Sequence, residues 1–242
     1  MRTVPRRNDD DRGSPHLVHG RPPALFKRVT NLPGGGFGTS SYITFLAPAI
    51  VIMNSFFGAT WSGMAMISDL DRDVLPRFLA TPVSRISLVV SQIVRSALIA
   101  VVQGVIILVV SLALGVRVHT GLFGWVVILA AAALMNSAFA GLSQGIALLV
   151  RKEATMIAIA NFIGLPLFFL SSTLISIRQV PHWMQIAAKF NPVNWGVIAA
   201  RQVVLRGTEW GSVGLHLALL FGLSVATAAF ATWTFRAYQR TI

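Results

Sequence analysis

The sequence contains no cysteine and few acidic residues, and both shortages exclude classes of function. Among its 242 residues there are 8 Asp and Glu and no Cys. Disulfide frameworks, cysteine-ligated zinc sites and cysteine nucleophiles are therefore excluded. The pattern G-x-x-x-x-G-K-[ST] is also missing, so the chain has no Walker A loop for ATP. Because no apolar core follows Met1 closely, the N-terminus does not resemble a secretory signal peptide.

Histidine spacing and one serine motif give no catalytic or metal site. The histidines are His16, His19, His119, His182 and His216, and none falls in an HExxH-like spacing. Gly141-Leu-Ser-Gln-Gly145 matches G-x-S-x-G, which marks a nucleophile only at a strand–turn–helix elbow. It lies inside a long apolar run, so we interpret Gly141 and Gly145, like Gly58 and Ser62, as small residues that let another helix approach. We expect no catalytic, cofactor-binding or metal-binding residues in this chain.

What the sequence has in abundance is apolar side chains. It is 55% hydrophobic and 12% charged, whereas soluble domains carry roughly a quarter charged residues. The composition therefore predicts an all-α, polytopic integral membrane protein. A net charge of +12 would favour nucleic acid as the partner of a soluble protein. Here the basic residues lie in the N-terminal tail and between apolar runs, so we expect membrane lipid as a partner and no nucleic acid.

The composition divides the chain into two parts. Residues 1–40 are rich in Arg, Pro and Gly, cannot bury a core and are expected to be a disordered tail. Residues 41–242 are expected to form the membrane domain. Its five apolar runs lie near 43–67, 86–115, 122–150, 154–177 and 213–235. Each exceeds the roughly 20 residues that a membrane-crossing helix needs.

Loop charges predict the orientation of these five crossings. The basic residues near their ends are Arg72, Arg77, Arg85, Arg151, Lys152, Arg236 and Arg240. The link between the second and third runs has only Arg117. The positive-inside rule then places 68–86, 151–153 and the C-terminus in the cytoplasm of a cell-membrane protein. Alternation places the tail outside despite its seven Lys and Arg; either it is translocated or a first membrane helix is missing.

The segment between the last two runs has helical periodicity. Trp183, Ile186, Ala187 and Phe190 are spaced i, i+3, i+4 and i+7, and Asn191-Pro192 then breaks the pattern. Residues 193–205 can resume as a second short helix. We interpret the pair as half-buried helices at the outer interface, with an ordinary interfacial loop as the alternative.

Polar residues inside the runs are the candidates for a substrate path or for contacts between helices. They are Asn54, Gln103, Asn136, Gln144 and Asn161. Pro166 is grouped with them because a proline within a helix favours a kink. Arg95 also lies in a run, and we expect its side chain to snorkel to the cytoplasmic interface.

The stretch from Asp69 to Arg85 is the main charged interruption of the apolar sequence. Leu75, Phe78 and Leu79 form an apolar stripe at i, i+3 and i+4, and Pro82 ends or bends the helix. Its charged residues include Asp69, Asp71, Arg72, Asp73 and Arg77. Such an amphipathic helix either lies in the headgroups or docks its stripe into a groove on a partner, and the pattern does not choose between them.

Four pieces of the sequence resemble the ABC-2 type permeases, especially the daunorubicin-resistance-like exporter subunits. They are Ser41 to Pro48, Asp69 to Arg85, Pro166 to Ser172, and Val180-Pro-His-Trp183 with Asn191-Pro192. The resemblance covers residues 40–242. The chain departs from the family where Asp71, Asp73 and Ser172 replace the usual Glu, Gly and Gly. The family usually has six membrane helices, and the first is absent here.

The resemblance implies a function. Two permease subunits, identical or paired, would bind two copies of a separate ATP-binding cassette ATPase, which holds the ATP and Mg²⁺. The exported compound would be hydrophobic or amphipathic: a drug, an antibiotic or a lipid-like molecule. The ATPase-coupling residues are expected at Asp69, Asp71, Arg72, Leu75, Arg77, Phe78, Leu79, Pro82 and Arg85, with Arg151, Lys152 and Glu153 nearby. The alternatives are a non-transporting or truncated membrane scaffold and, with less support, a membrane-embedded enzyme.

Overall fold

The computed structural model describes residues 42–71, 85–114, 116, 120–173, 180–204 and 208–239. These residues form eight helices. The helices are α1 Tyr42–Thr60, α2 Ser62–Asp71, α3 Arg85–Ala113, α4 Gly121–Val150, α5 Glu153–Phe169, α6 His182–Phe190, α7 Pro192–Gln202 and α8 Trp210–Gln239. The predicted tail and residues 72–84 lie outside the described residues.

Four helical segments are long and apolar enough to cross a bilayer. They cover Thr44–Ser68, Val89–Ala113, Gly121–Val150 and Trp210–Ala237. The fold is therefore that of a polytopic helical membrane protein, as the composition predicts. The fourth apolar run differs from its prediction, because helix α5 ends at Phe169 and has 17 residues. It extends about 25 Å at 1.5 Å per residue, less than the roughly 30 Å of hydrocarbon.

Helix α4 is the centre of the bundle, and α1, α2, α3, α5, α7 and α8 all contact it. One face of α4 is a series of small and medium residues that are fully buried, among them Ala131, Ala132 and Met135. Small side chains let neighbouring backbones approach, which compensates for the lack of a hydrophobic drive between helices in lipid. The span windows of α3 and α8 are only 22% buried. Their outer faces are therefore apolar surfaces suited to lipid.

A separate core cluster brings the loop-proximal ends of five helices together. It joins Met66 of α2, Val89 of α3, Leu148 of α4, Met156 of α5 and Phe235 of α8. We call this the basic end, because Arg85, Arg151, Lys152 and Arg236 lie at or next to these helix termini. The described residues that flank the positive loops thus lie at one end of the bundle. The opposite end, which holds α6 and α7, is called the capped end.

The first membrane span is broken at Trp61, where α1 gives way to α2. Ser143 of α4 fills the break: its hydroxyl donates to the carbonyl of Thr60 at 2.6 Å and accepts from the amide of Gly63 at 2.9 Å. A Cβ on Gly63 would lie 2.6 Å from the Ser143 carbonyl oxygen. The serine of the G-x-S-x-G match therefore forms buried hydrogen bonds that join α4 to the α1–α2 segment.

Two of the small residues predicted to admit another helix do so. A Cβ on Gly141 would lie 3.0 Å from the Thr227 backbone, and one on Gly145 would lie 2.5 Å from the Phe230 ring. The prediction is wrong for Gly58, where an added Cβ would meet nothing within 4 Å. In the first span the close approach occurs at Gly63 instead, because the break at Trp61 turns that residue toward α4.

The two short helices predicted after residue 180 are present as α6 and α7. Between them, Asn191 caps α7 by accepting from the Val193 amide at 2.9 Å, and its side-chain amide donates to Leu167 at 2.6 Å. Asn-Pro thus begins α7 in the arrangement that favours a helix start. On α6, Trp183 and Phe190 are exposed by 64% and 77%. That apolar face points away from the bundle, as an interfacial helix requires.

Candidate functional site

A polar cavity of about 350 Å³ lies between α1–α2, α3 and α4. Its lining residues are Gly58, Trp61, Ser62, Ala65, Gln92, Arg95, Ser96, Ile99, Ala100, Gln103, Asn136 and Gln144. Ligand cavities typically range from about 300 to 1,000 Å³. Trp61 and Ile99, 39% and 49% exposed, lie at its rim. A cavity rich in amides and hydroxyls within an apolar bundle is therefore the candidate functional site.

The polar residues of the site form two tiers. The central tier is Asn54, Gln103 and Asn136, and the basic-end tier is Ser62, Arg95 and Gln144. Each tier draws one residue from the α1–α2 segment, one from α3 and one from α4. The two members are eight positions apart in each segment, which is about 12 Å along the continuous helices α3 and α4 at 1.5 Å per residue. In the first segment the same interval includes the break at Trp61.

The central tier holds helices together. Asn54 of α1 donates through Nδ2 to Oε1 of Gln103 on α3 at 2.8 Å. Asn136 of α4 donates through Nδ2 to the backbone carbonyl of Ser55 at 3.1 Å. These bonds tie α1 to α3 and α4, which is the helix-joining role that side-chain amides have in membrane bundles. They also fix the orientation of the Asn136 amide, since a flipped amide would turn its oxygen toward the carbonyl.

The basic-end tier lacks such partners. The Oγ of Ser62 and the Oε1 of Gln144 are buried and form no hydrogen bond, and the same is true of Oδ1 of Asn136 one level above. Gln144 is 2% exposed and Asn136 is 3% exposed. Among the described residues that line the cavity none is acidic, so the guanidinium of Arg95 has no counter-ion there. Unpaired buried polar groups each cost roughly 1–3 kcal/mol.

Four of the six predicted path residues therefore converge, and two do not. Asn161 of α5 is exposed and donates to the carbonyl of Ile157 in its own helix at 3.1 Å. Pro166 is also exposed, and it lies in the last turn of α5, so the predicted mid-helix kink is wrong. The cause is the early end of α5, where the Leu170 amide donates to the carbonyl of Pro166 at 2.9 Å. Arg95 lines the cavity rather than standing apart from the polar residues.

The predicted ATPase-coupling residues are only partly within the described chain. Asp69 and Asp71 fall in the last turn of α2, and Arg85 begins α3. Arg72, Leu75, Arg77, Phe78, Leu79 and Pro82 lie outside the described residues. The basic end does include Arg151, Lys152 and Glu153, which form the tight turn between α4 and α5.

That turn is built by an unusual backbone conformation. Arg151 ends α4 in the left-handed region at φ 55°, with its amide bonded to Ala147 at 2.9 Å. Lys152 is extended, and Glu153 is the acidic first residue of α5, where a negative charge suits the helix dipole. All three side chains are exposed. The turn therefore presents two cations and one anion at the basic end.

A buried arginine at the capped end has no counterpart among the predicted residues. Arg201 of α7 is 7% exposed. It donates to the carbonyls of Phe45 at 3.0 Å, Thr173 at 2.7 Å and Ser172, and its guanidinium carbon lies 3.5 Å from the centre of the Phe45 ring. It thereby joins α7, the start of α1 and the turn after α5. The signal in the sequence is a single cation inside the apolar stretch 193–205.

These features together define a class. An all-helical, multi-pass membrane domain with charged turns at one end and a polar cavity inside is built as the membrane subunit of a transporter. The ABC-2 type transporter family model matches residues 25–205. Because this match covers most of the sequence, the chain belongs to that family, and the predicted resemblance is confirmed. The matched region begins within the segment that composition assigns to the tail.

The relatives of the chain are transport permeases. It is 28% identical over 206 residues to a transport permease named ycf38 of Pyropia yezoensis, covering 78% of this chain and 69% of the relative. It is 23% identical over 212 residues to the daunorubicin resistance ABC transporter permease protein DrrB1 of Streptomyces coeruleorubidus, covering 87% and 74%.

A chain named doxorubicin resistance ABC transporter permease protein DrrC, of Mycobacterium tuberculosis, is 23% identical over 189 residues, covering 76% of this chain and 68% of that one. A second ycf38 permease, from Porphyra purpurea, matches over 58% of its own length. The chain thus spans between about six and seven tenths of these relatives. No solved structure matches it.

Proposed function

We propose that this chain is the permease subunit of an exporter that moves a hydrophobic or amphipathic compound, such as a drug, an antibiotic or a lipid-like molecule, out across the cytoplasmic membrane. The observation that carries the proposal is the polar cavity of about 350 Å³ inside the apolar bundle. The buried amides Asn136 and Gln144 are costly in lipid, as is a cation such as Arg95 between membrane helices, and such groups often mark a transport path. The drug-resistance names of two relatives agree with such a compound.

ATP hydrolysis would take place in a separate ATP-binding cassette subunit, with ATP and Mg²⁺ bound there. Two permease copies, the same or different, would complete the transporter. Movement of the ATPase pair would enter through the basic end, by way of residues 69–85 and the Arg151–Glu153 turn. The apolar stripe and charged flanks of the first segment suit a groove on such a partner.

The test has two stages. The tagged full chain is first purified from its native membranes, and a co-purifying ATPase is identified and co-expressed with it. Inside-out vesicles are then supplied with ATP and either doxorubicin or an amphipathic acid. We expect ATP-dependent uptake of at least one probe, lost when the Walker A lysine of the ATPase is replaced. An absence of any ATPase partner together with no uptake of either probe would contradict the proposal and favour a scaffold.

A further inference from the structure

The chemistry of the cavity restricts the compounds that it suits, beyond the amphipathic character already proposed. Its basic-end tier has one cation, Arg95, and no acid among the described lining residues. Two of its atoms, Oγ of Ser62 and Oε1 of Gln144, are buried without a hydrogen-bond partner. Unpaired oxygen acceptors suit hydrogen-bond donors, and the guanidinium of Arg95, which is exposed, suits an anionic acceptor.

The remaining unpaired atom extends this pattern toward the middle of the bundle. Oδ1 of Asn136 accepts nothing, although Nδ2 of the same amide is bonded to Ser55. The site therefore offers one positive charge and up to three acceptors. The rim supplies apolar contact from Trp61 and Ile99.

We propose that the cavity binds an amphipathic anion: a carboxylate or phosphate paired with Arg95, with hydroxyl or N–H groups beside it that donate to Ser62 and Gln144. This inference rests on the proposed function, because the bound anion would be the transported compound, but its test does not require transport. It also predicts which charge the ligand should have. Anthracyclines such as doxorubicin carry an amine that is cationic at neutral pH, and Arg95 would repel them. An amphipathic anion is therefore the better ligand for this chain.

The binding test uses the full chain in phosphatidylcholine nanodiscs and Trp61 as the reporter. Three probes share one acyl chain: N-lauroyl-serine is an anion, its methyl ester is neutral, and N-(2-aminoethyl)lauramide is a cation. Tryptophan fluorescence is titrated at equal mole fractions in the bilayer. We expect the anion to bind about tenfold more tightly than the ester, since charge-assisted hydrogen bonds are worth roughly twice neutral ones, and the cation to bind most weakly.

Matched variants assign the preference to the site. Arg95→Gln should lower the affinity for the anion to that for the ester and leave the ester unchanged, whereas Arg95→Lys should keep the preference. Trp61→Phe should remove the fluorescence change. Equal affinities for the three probes, a preference for the cation, or an unchanged preference in Arg95→Gln would overturn the inference. So would a full fluorescence change in Trp61→Phe, because the anion would then bind elsewhere.

Two sources can supply this anion, a bilayer lipid or an exported compound. Nanodiscs in which a quarter of the lipid is phosphatidylglycerol distinguish them, because that lipid combines a phosphate with two hydroxyls. Competition with N-lauroyl-serine identifies lipid as the source, and unchanged binding identifies a non-lipid compound. The measurement needs neither ATPase nor transport. The absence of an ATPase partner and of vesicle uptake, with the charge preference intact, would therefore contradict only the proposed function. Vesicle uptake together with a preference for the cation would contradict only this inference.

Discussion

At the scale of single residues, two buried polar side chains differ in whether their hydrogen-bonding groups have partners. Arg201 has its charge spread over three carbonyls and the face of Phe45. Gln144 is as deeply buried but has an unpaired oxygen. Because a satisfied buried group stabilises and an unsatisfied one destabilises, the first is a structural fastener, and the second is one of the residues on which the proposed binding site rests.

Replacing Arg201 should weaken the fold. Arg201→Met leaves the carbonyls of Phe45, Ser172 and Thr173 without their donor, and we expect a loss of more than about 2 kcal/mol in unfolding free energy. The unfolding free energy of Arg201→Lys should lie between those of the parent and of Arg201→Met, because a single ammonium cannot reproduce the planar fork of donors of a guanidinium. Denaturant unfolding of the purified chain measures the loss. Lys189→Met is the control, since Lys189 is exposed on α6; an Arg201→Met variant as stable as this control would contradict the fastener role.

Replacing Gln144 should do the reverse. Gln144→Met is close in volume and removes an unpaired buried oxygen, so we expect a gain of about 1 kcal/mol in unfolding free energy. The same change should weaken binding of N-lauroyl-serine. Measuring stability and binding on one preparation links the two effects. A variant that is less stable than the parent would show that Gln144 has a partner in the native protein.

At the scale of helices, the sequence predicts well which segments are helical but predicts poorly the residues at which those helices end. Hydropathy finds the four long spans because lipid demands about 20 apolar residues in each. It overextends α5 because apolar residues recur among the Ser and Thr between Leu170 and Ile177, and the helix ends at Phe169 through contacts that periodicity does not record. One such contact is the Asn191 amide on the carbonyl of Leu167. The sequence pattern also gives Gly58 and Gly145 the same interpretation. It cannot distinguish them, because the neighbours of a glycine depend on which face of its helix turns toward the bundle.

The glycines on the two faces provide a paired test. Gly145→Ala places a Cβ 2.5 Å from the Phe230 ring, whereas Gly58→Ala meets nothing within 4 Å. Overpacking typically costs about 1–3 kcal/mol, and we expect a loss in that range for Gly145→Ala. Gly58→Ala should be neutral or slightly stabilising, because alanine is the better helix former. Thermal unfolding of both variants in one detergent checks the difference. Equal stabilities would mean that α4 and α8 do not pack as closely as described.

The candidate site shows the same division. Four of its polar residues are recognisable in the sequence because amides are rare in apolar runs. Their convergence is not, since the matching eight-residue spacing has meaning only once the three segments are known to be neighbours. Asn161 carries the same sequence signal but bonds to its own helix. Composition thus nominates candidates, and the packing of the helices selects among them.

At the scale of the whole molecule, one end of the bundle collects the basic turns. The positive-inside rule assigns that end to the cytoplasm. The absence of native cysteine allows a clean test. We expect Lys152→Cys to react with a membrane-impermeant maleimide only after the membrane is opened, and Lys189→Cys on α6 to react in intact cells. The reverse pattern would invert the proposed orientation and move the ATPase contact to the capped end.

The last prediction concerns the segment through which the ATPase subunit would contact this chain. If residues 69–85 dock into a groove on an ATPase, the apolar stripe of Leu75 and Phe78 supplies the anchor. Leu75→Asp or Phe78→Asp would bury a charge in that groove. The free energy lost would be far greater than that of losing a contact at the rim of the interface. We expect each variant to lose ATPase co-purification by about tenfold or more while inserting normally into the membrane. Lys189→Asp, at the capped end, is the control and should co-purify like the parent. Normal recovery of the ATPase with both stripe variants would mean that this segment lies in the headgroups instead.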